Sequence, residues 1–228
     1  MRSFFVKSIS KIKRIILIIN ILLTIIVGLL WIDDIKKETI VEKYEEKFVA
    51  ITFDDGPNRS TTEKLLDGLK QRDVKATFFV IGENIEGNED IIRRMKEEGH
   101  EIGNHTYTHC DLSRVSRDCA LKEIDKTNEL IYKITGEMPQ YIRPPFGNTS
   151  DRIFYIEEMT VVLWQVDPMD WNTNNADKVV NLVVKNVKPN DIILLHDIYD
   201  SSVSAALRII DELQDEGYVF VLPDVIFP

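Results

Sequence analysis

The 228-residue chain is poor in cysteine and in basic residues. Its two cysteines, Cys110 and Cys119, are too few for a framework of bridges, and we expect them to be unlinked thiols. Its 28 basic residues face 38 acidic ones, which argues against a nucleic-acid partner because phosphates need a basic surface. No repeat or low-complexity stretch divides the chain. We therefore expect a single domain with a substantial hydrophobic core.

Charged residues are also missing from residues 15–32, an aliphatic run that only Asn20, Thr24 and Gly28 interrupt. At about 1.5 Å per residue, a helix over this run would span roughly 27 Å, close to the thickness of a bilayer core. Five basic residues precede the run and two aspartates follow it. The positive-inside rule then predicts a single-pass signal anchor with its N-terminus in the cytoplasm. A cleaved signal peptide is the alternative, but no small-x-small cleavage pattern follows the run.

The predicted division of the chain has four parts: a basic cytoplasmic tail (1–14), the transmembrane anchor (15–32), a polar stem (33–47) and a folded domain (48–228). The domain would be held at the cell membrane on its outer side. Because five of the 28 basic residues precede the anchor, the external part has 23 basic and 38 acidic residues, a net charge of −15. Such a charge opposes adhesion to an anionic polymer and fits a neutral glycan.

Beyond the stem, hydrophobic strands alternate with amphipathic helices. We predict strands at 48–53, 76–81, 101–103, 141–142, 161–164, 192–195 and 218–221. Helices are predicted at 61–71, 90–98, 116–134, 176–187 and 203–216. About seven parallel strands with intervening helices indicate a barrel or an open doubly wound sheet, and both gather function at the carboxyl ends of their strands. Chemically capable side chains follow five of these strands: Asp54 and Asp55, His105 and His109, Arg143, Asp170, and His196.

His105 and His109, two of only four histidines, lie four residues apart. On a helical turn, such residues share a face about 6 Å apart, so both imidazoles could bind one ion. Asp55 would be a third ligand and would leave a position open for water, which is typical of a catalytic zinc site. The neighbouring Asp54 could then stay free as a base, because the ion keeps both carboxylates ionised. His100 has no partner at ligand spacing and is expected to be structural or solvent-facing.

The remaining polar residues of this edge suggest supporting roles. Arg143 directly follows a strand and could pair with a carboxylate at the same edge. His196 and the carboxylates of the 167–171 segment would together supply an imidazole and a group that orients it, which is the arrangement a general acid needs.

Five segments, in this order, resemble the polysaccharide deacetylases, the carbohydrate esterase family 4 enzymes that share the NodB homology domain. They are TFDDG at 52–56, HTYTH at 105–109, RPPFG at 143–147, DPMDW at 167–171 and LLH at 194–196. The resemblance extends from about Lys47 to the C-terminus. It implies a distorted (β/α) barrel of about seven parallel strands and a divalent metal held by Asp55, His105 and His109. The metal would be zinc, with cobalt or nickel as alternatives.

The resemblance also implies individual roles for the other site residues. Asp54 would be the general base and His196 the general acid, while Arg143 would hold Asp54 and Asp170 would tune His196. The pocket for the acetyl methyl group would be formed by Phe146, Trp171 and Leu194. Phe146 stands where the family commonly has tyrosine, but the backbone N–H is the group expected to contact the oxyanion. The segment 149–160 is shorter than the family pattern.

The expected function is metal-dependent hydrolysis of N-acetyl groups on an extracellular glycan, with N-acetylglucosamine of peptidoglycan favoured. Chitin oligosaccharides, an exopolysaccharide and O-acetylated xylan are alternative substrates, because the acetyl chemistry is shared. A catalytically inactive glycan-binding module on the same fold is the alternative from another class. A phosphoesterase is disfavoured, because ligands for a second metal are missing. The expected partners are thus an acetylated glycan and the membrane, and the sequence leaves the oligomeric state open.

Overall fold

The computed structural model describes residues 23–28, 31, 46–148 and 159–226. The chain divides into two units, Met1–Glu45 and Glu46–Pro228. In the first unit, residues 23–28 and residue 31 are helical and exposed. Within the described residues, no helix has the length and apolar character needed to cross a membrane. Most of the proposed anchor, together with the tail and nearly all of the stem, lies outside the described residues.

The second unit alternates strands and helices. The strands are β1 (Lys47–Asp54), β2 (Thr77–Val80), β3 (Glu101–Asn104), β4 (Tyr141–Ile142), β5 (Thr160–Val161), β6 (Asp191–His196) and β7 (Tyr218–Phe220). The helices are α1 (Arg59–Gln71), α2 (Gly82–Ile85), α3 (Glu89–Glu97), α4 (Arg117–Thr135), α5 (Ala176–Asn186), α6 (Asp200–Asp215) and α7 (Pro223–Ile226). Short 3-10 turns occupy Pro145–Gly147 and Asp170–Asn172.

All strand pairs are parallel, in the order β5-β4-β3-β2-β1-β6, and β7 pairs with the beginning of β1. Beyond β5, Val166 forms a parallel bridge with Ile193 of β6, so the chain past one edge strand approaches the other edge of the sheet. The predicted α/β class with seven parallel strands is therefore confirmed, and the observed shape is a curled half-barrel.

Side chains of β1 alternate between two faces of the sheet, as strand geometry requires. Val49, Ile51 and Phe53 belong to the large core between the sheet and the helices, whereas Ala50 packs in a separate inner cluster with residues of β2 and β6. Asp54 continues the inner series and emerges at the carboxyl end of the strand. Its register partner is His196, which brings two of the predicted site residues side by side.

The helix boundaries follow local signals. Asn58 caps α1 by accepting from the Ser60 backbone N–H, and Ser116 caps α4 by accepting from the Cys119 N–H. Gly136, with φ of 77°, ends α4 in the left-handed conformation that favours glycine.

Two features differ from the prediction. The fifth strand covers only Thr160–Val161 instead of 161–164, because the carbonyl groups of Val162 and Leu163 accept from the Arg143 side chain. The helices α2 and α7 were not predicted, since four residues are too few for a periodic pattern. Of the segment 149–160, residues 149–158 lie outside the described part.

Candidate active site

The two histidines of the HTYTH segment lie on a loop after β3, so the predicted helical turn is wrong. Thr106 and His109 have φ values of 66° and 57°, and these left-handed residues interrupt the helical hydrogen-bond pattern. The loop nevertheless brings the imidazoles together, with ring centroids of His105 and His109 5.0 Å apart. Their convergence therefore depends on the loop fold and not on helical spacing.

Asp55 completes a candidate divalent-metal site with the two histidines. Its Oδ1 atom lies 3.5 Å from Nε2 of His105 and 3.4 Å from Nε2 of His109, and the ligand atoms of the three residues all lie within 4.8 Å of one another. Oδ1 of Asp55 is buried and has no hydrogen-bond partner in the described structure. His105 donates from Nδ1 to the Arg143 carbonyl oxygen at 2.6 Å, which leaves the Nε2 lone pair facing the cluster. This donor set fits a divalent ion.

The electrostatics of the cluster keep its ligands in the state that metals require. Burial raises the pKa of Asp55, but the surrounding imidazoles, His105 first, outweigh this effect and leave the pKa below its ordinary value. Burial is the main cause that lowers the pKa of His109, and the neighbouring His105 lowers it further. An ionised carboxylate and a neutral imidazole are the forms that bind metal.

Cys110 directly follows the candidate ligand His109, where a thiolate would compete for the metal. Burial, followed by the charge of Glu123, raises the pKa of its thiol to about 11, so the thiol stays protonated near neutral pH and is a poor ligand. Cys110 and Cys119 are both free, as predicted.

Asp54 is held from behind by a fully buried arginine. Nη1 of Arg143 donates to Oδ1 of Asp54 and to Oγ1 of Thr52, both at 2.8 Å, and Nε donates to the Val162 carbonyl at 3.0 Å. Burial lowers the pKa of Arg143, and the adjacent Asp54 opposes that change. The second carboxylate oxygen of Asp54, Oδ2, lies 3.7 Å from Nε2 of His105. One oxygen is thus anchored while the other faces the metal cluster.

His196 approaches the cluster from β6 and is oriented by Asp170. Its Nδ1 donates to Oδ1 of Asp170 at 2.8 Å, and its backbone N–H donates to Oδ2 of the same carboxylate at 2.9 Å. Nε2 is left facing the site, 3.9 Å from Oδ2 of Asp55. Burial lowers the pKa of His196, but the bond and charge of Asp170, with Asp54 and Asp55, raise it to about 9. The imidazole therefore carries a proton at neutral pH.

These groups surround a cavity of about 400 Å³. Its lining consists of Asp54, Asp55, His105, His109, Phe146, Trp164, Asp167, Trp171, Leu194, His196 and Tyr199. The three predicted pocket residues are all in this lining, while Arg143 and Asp170 lie behind it. The Phe146 ring packs edge-on against His109, with centroids 4.9 Å apart.

Sequence reasoning missed two aromatic residues of the lining. Tyr199 lies three residues beyond His196, and Trp164 lies just beyond β5. Both residues closely follow the carboxyl end of a strand, and this position in the sequence is the signal that could have identified them. His100 is buried, its Nδ1 accepts from the Ala76 N–H, and burial lowers its pKa to about 4, which agrees with the structural interpretation.

Comparisons with known proteins agree with this geometry. A family model described as polysaccharide deacetylase matches residues 42–161, more than half of the chain. Peptidoglycan-N-acetylmuramic acid deacetylase PdaC of Bacillus subtilis is 42% identical over 186 residues, which cover 82% of this chain and 39% of PdaC. A peptidoglycan-N-acetylglucosamine deacetylase of Bacillus cereus is 41% identical over 196 residues, which cover 79% of this chain and 71% of that protein.

A solved structure of PdaC from Bacillus subtilis has the same architecture. It matches with a TM-score of 0.78 and 42% identity, covering 80% of this chain and 91% of the solved chain. The matched region is therefore less than half of the full PdaC protein, although it is most of the part that was solved.

Proposed function

This chain belongs to the polysaccharide deacetylase family, and on that premise we propose that it removes N-acetyl groups from peptidoglycan N-acetylglucosamine in a metal-dependent reaction. The proposed products are acetate and a glucosamine residue with a free amine. The same acetyl chemistry would act on chitin oligosaccharides, an exopolysaccharide or O-acetylated xylan, which are the alternative substrates.

The observation that carries this proposal is the placement of a base and an acid beside one candidate metal site. Oδ2 of Asp54 lies 3.7 Å from a ligand atom of His105, and Nε2 of His196 lies 3.9 Å from a ligand oxygen of Asp55. Amide hydrolysis needs both groups, since water must lose a proton and the amine must gain one. An inactive glycan-binding module would not need Arg143 to hold Asp54, or Asp170 to orient His196.

When bound by Asp55, His105 and His109, a divalent ion supplies Lewis acidity that polarises the acetyl carbonyl and lowers the pKa of water. Asp54 takes the proton of the attacking water on Oδ2, while the bond from Arg143 to Oδ1 holds the carboxylate in place. The backbone N–H of Phe146, at the mouth of the cavity, would donate to the oxyanion of the tetrahedral intermediate.

Breakdown of that intermediate requires a proton on the departing nitrogen, because an amine anion is a poor leaving group. His196 supplies this proton from Nε2, and Asp170 keeps the imidazole charged and oriented through Nδ1. The aromatic and aliphatic walls of the cavity, Trp171 and Leu194, receive the acetyl methyl group.

The negative charge of the cavity lining and of the chain favours an uncharged sugar as the substrate. Asp167 adds a third carboxylate to the cavity lining, and the whole chain has a net charge of −10. N-acetylmuramic acid has a lactyl group that ends in a carboxylate or in a peptide with its own carboxylates, which these groups would repel. N-acetylglucosamine has none, so it is the sugar we propose.

Zinc is the ion we propose, because a site of two imidazoles and one carboxylate with an open position is typical of catalytic zinc. Cobalt and nickel bind similar donors and are the alternatives.

The basic residues before the aliphatic run 15–32 support anchoring of the chain in the cell membrane with the domain outside. Membrane fractionation and protease accessibility on whole cells test that placement; a domain released into the medium would indicate cleavage.

Acetate release by the purified full chain tests the function. The substrates are N-acetylglucosamine oligomers, purified peptidoglycan and acetylated xylan, each with chelated protein and after return of zinc, cobalt or nickel. We expect the wild-type protein to release acetate from the N-acetylglucosamine units of peptidoglycan in a metal-dependent way, and the Asp54→Asn variant to release none. Binding of these glycans without acetate release, by metal-loaded wild-type protein, would instead identify an inactive binding module.

A further inference from the structure

The loop that carries His105 and His109 needs partners outside itself. Because the loop is not helical, its backbone N–H groups cannot bond to carbonyl groups one turn earlier, and polar backbone groups require partners elsewhere. The N–H groups of Tyr107 and Thr108 both donate to Oε2 of Glu123, at 3.0 and 2.7 Å. The hydroxyl of Thr108 donates to the same oxygen at 3.0 Å. One carboxylate oxygen on α4 thus satisfies the backbone N–H groups of the two residues in the middle of this loop.

The neighbouring bonds show how the rest of the loop is placed. The Thr106 and Tyr107 carbonyl groups accept from the backbone N–H groups of Gly82 and Glu83, at 2.9 and 3.0 Å. These bonds join neutral groups, whereas the bonds to Glu123 involve an ionised acceptor and are the stronger kind.

Two residues of this loop also have an unfavourable backbone conformation. The left-handed conformations of Thr106 and His109 are unfavourable for residues other than glycine and persist only where the surrounding structure holds them. The Glu123 bonds lie at the two residues between them. Loss of this carboxylate would therefore release the loop toward conformations in which the two imidazoles no longer face the same point.

We propose that Glu123 is a positioning residue for the metal site: by holding the backbone of Tyr107 and Thr108, it aims both histidines at Asp55 and thereby sets the affinity for the ion. Glu123 contacts neither the ion nor the substrate in this role. The inference rests on the metal-dependent function proposed above, and metal affinity measures it directly.

The test compares three variants of the full chain. Glu123→Ala removes the acceptor, Glu123→Gln keeps an acceptor oxygen without the charge, and Glu129→Ala removes an exposed glutamate from the same helix as a matched control. The dissociation constant for Zn²⁺ is measured by competition with a chromogenic chelator, and the melting temperature of the metal-free protein is measured in parallel. The visible absorption spectrum of the Co²⁺ form reports the ligand geometry.

We expect Glu123→Ala to weaken Zn²⁺ binding about 10-fold or more, the range seen when outer partners of ligands are removed. It should also alter the Co²⁺ spectrum, with Glu123→Gln intermediate and Glu129→Ala unchanged. A lower melting temperature with a wild-type Zn²⁺ constant and Co²⁺ spectrum would make Glu123 merely structural and overturn the proposal. A wild-type chain that binds no Zn²⁺, Co²⁺ or Ni²⁺ would overturn the metal site itself.

Discussion

Replacing Asp170 with asparagine should move the alkaline limit of activity to lower pH. Asp170 accepts from Nδ1 of His196 at 2.8 Å, and its bond and charge are the main influences that raise the pKa of that imidazole against burial. Asparagine has a similar shape but no charge. The pKa of His196 should therefore fall from about 9 to its ordinary 6.5 or below, since burial continues to lower it.

The size of the effect depends on pH, because only the protonated imidazole can donate to the leaving amine. At pH 8, a pKa of about 9 leaves roughly 90% of His196 protonated, and a pKa of about 6.5 leaves roughly 3%, an approximately 30-fold loss of the acid form. At pH 6 both proteins hold most of the acid form, and the corresponding loss is less than about twofold.

The assay is acetate release from an N-acetylglucosamine oligomer by zinc-loaded protein between pH 5.5 and 10, with kcat followed for both proteins. Asp167→Asn is the control, because this carboxylate lies on the same loop and lines the cavity. The control removes a charge without removing the bond to His196. If Asp170→Asn lowers activity equally at every pH, or if Asp167→Asn shifts the limit as far, the assigned tuning of His196 by Asp170 is refuted.

Three further predictions follow from the site and its supports. Asp54→Asn should keep the affinity for zinc, the proposed ion, but lower kcat about 10²–10⁴-fold, because the proposed base is gone; full activity would remove Asp54 from that role. His105→Ala should lose zinc, and stoichiometric zinc by elemental analysis would exclude His105 as a ligand. Thr62→Val should destabilise the fold by about 1–3 kcal/mol, since Thr62 donates to the buried Asp197. Thr61→Val, which removes a buried hydroxyl without a partner in the described structure, should not lower the free energy of unfolding, and denaturant unfolding of both variants checks the difference.

Much of the fold was predictable because its signals are local. The signals are the continuous run of buried residues in β1, the Asn58 and Ser116 caps and the stop at Gly136, and each involves neighbours within a few residues. The predicted ends of α3 and α4 accordingly differ from the observed ends by one residue. The predicted fifth strand is too long, because the carbonyl groups of Val162 and Leu163 accept hydrogen bonds from Arg143, which follows β4. No local pattern reveals this contact.

The candidate site, like the fold, was predictable from the sequence only in part. Because carboxyl ends of parallel strands share one edge, the sequence alone determined that Asp54, Asp55, His105, His109 and His196 would meet there. Only the tertiary structure decided how they meet. The left-handed loop, its attachment to Glu123 and the complete burial of Arg143 against Asp54 depend on residues far apart in the chain. Distant contacts choose among the conformations that a short segment can adopt, so the type of chemistry was readable in the sequence and its geometry was not.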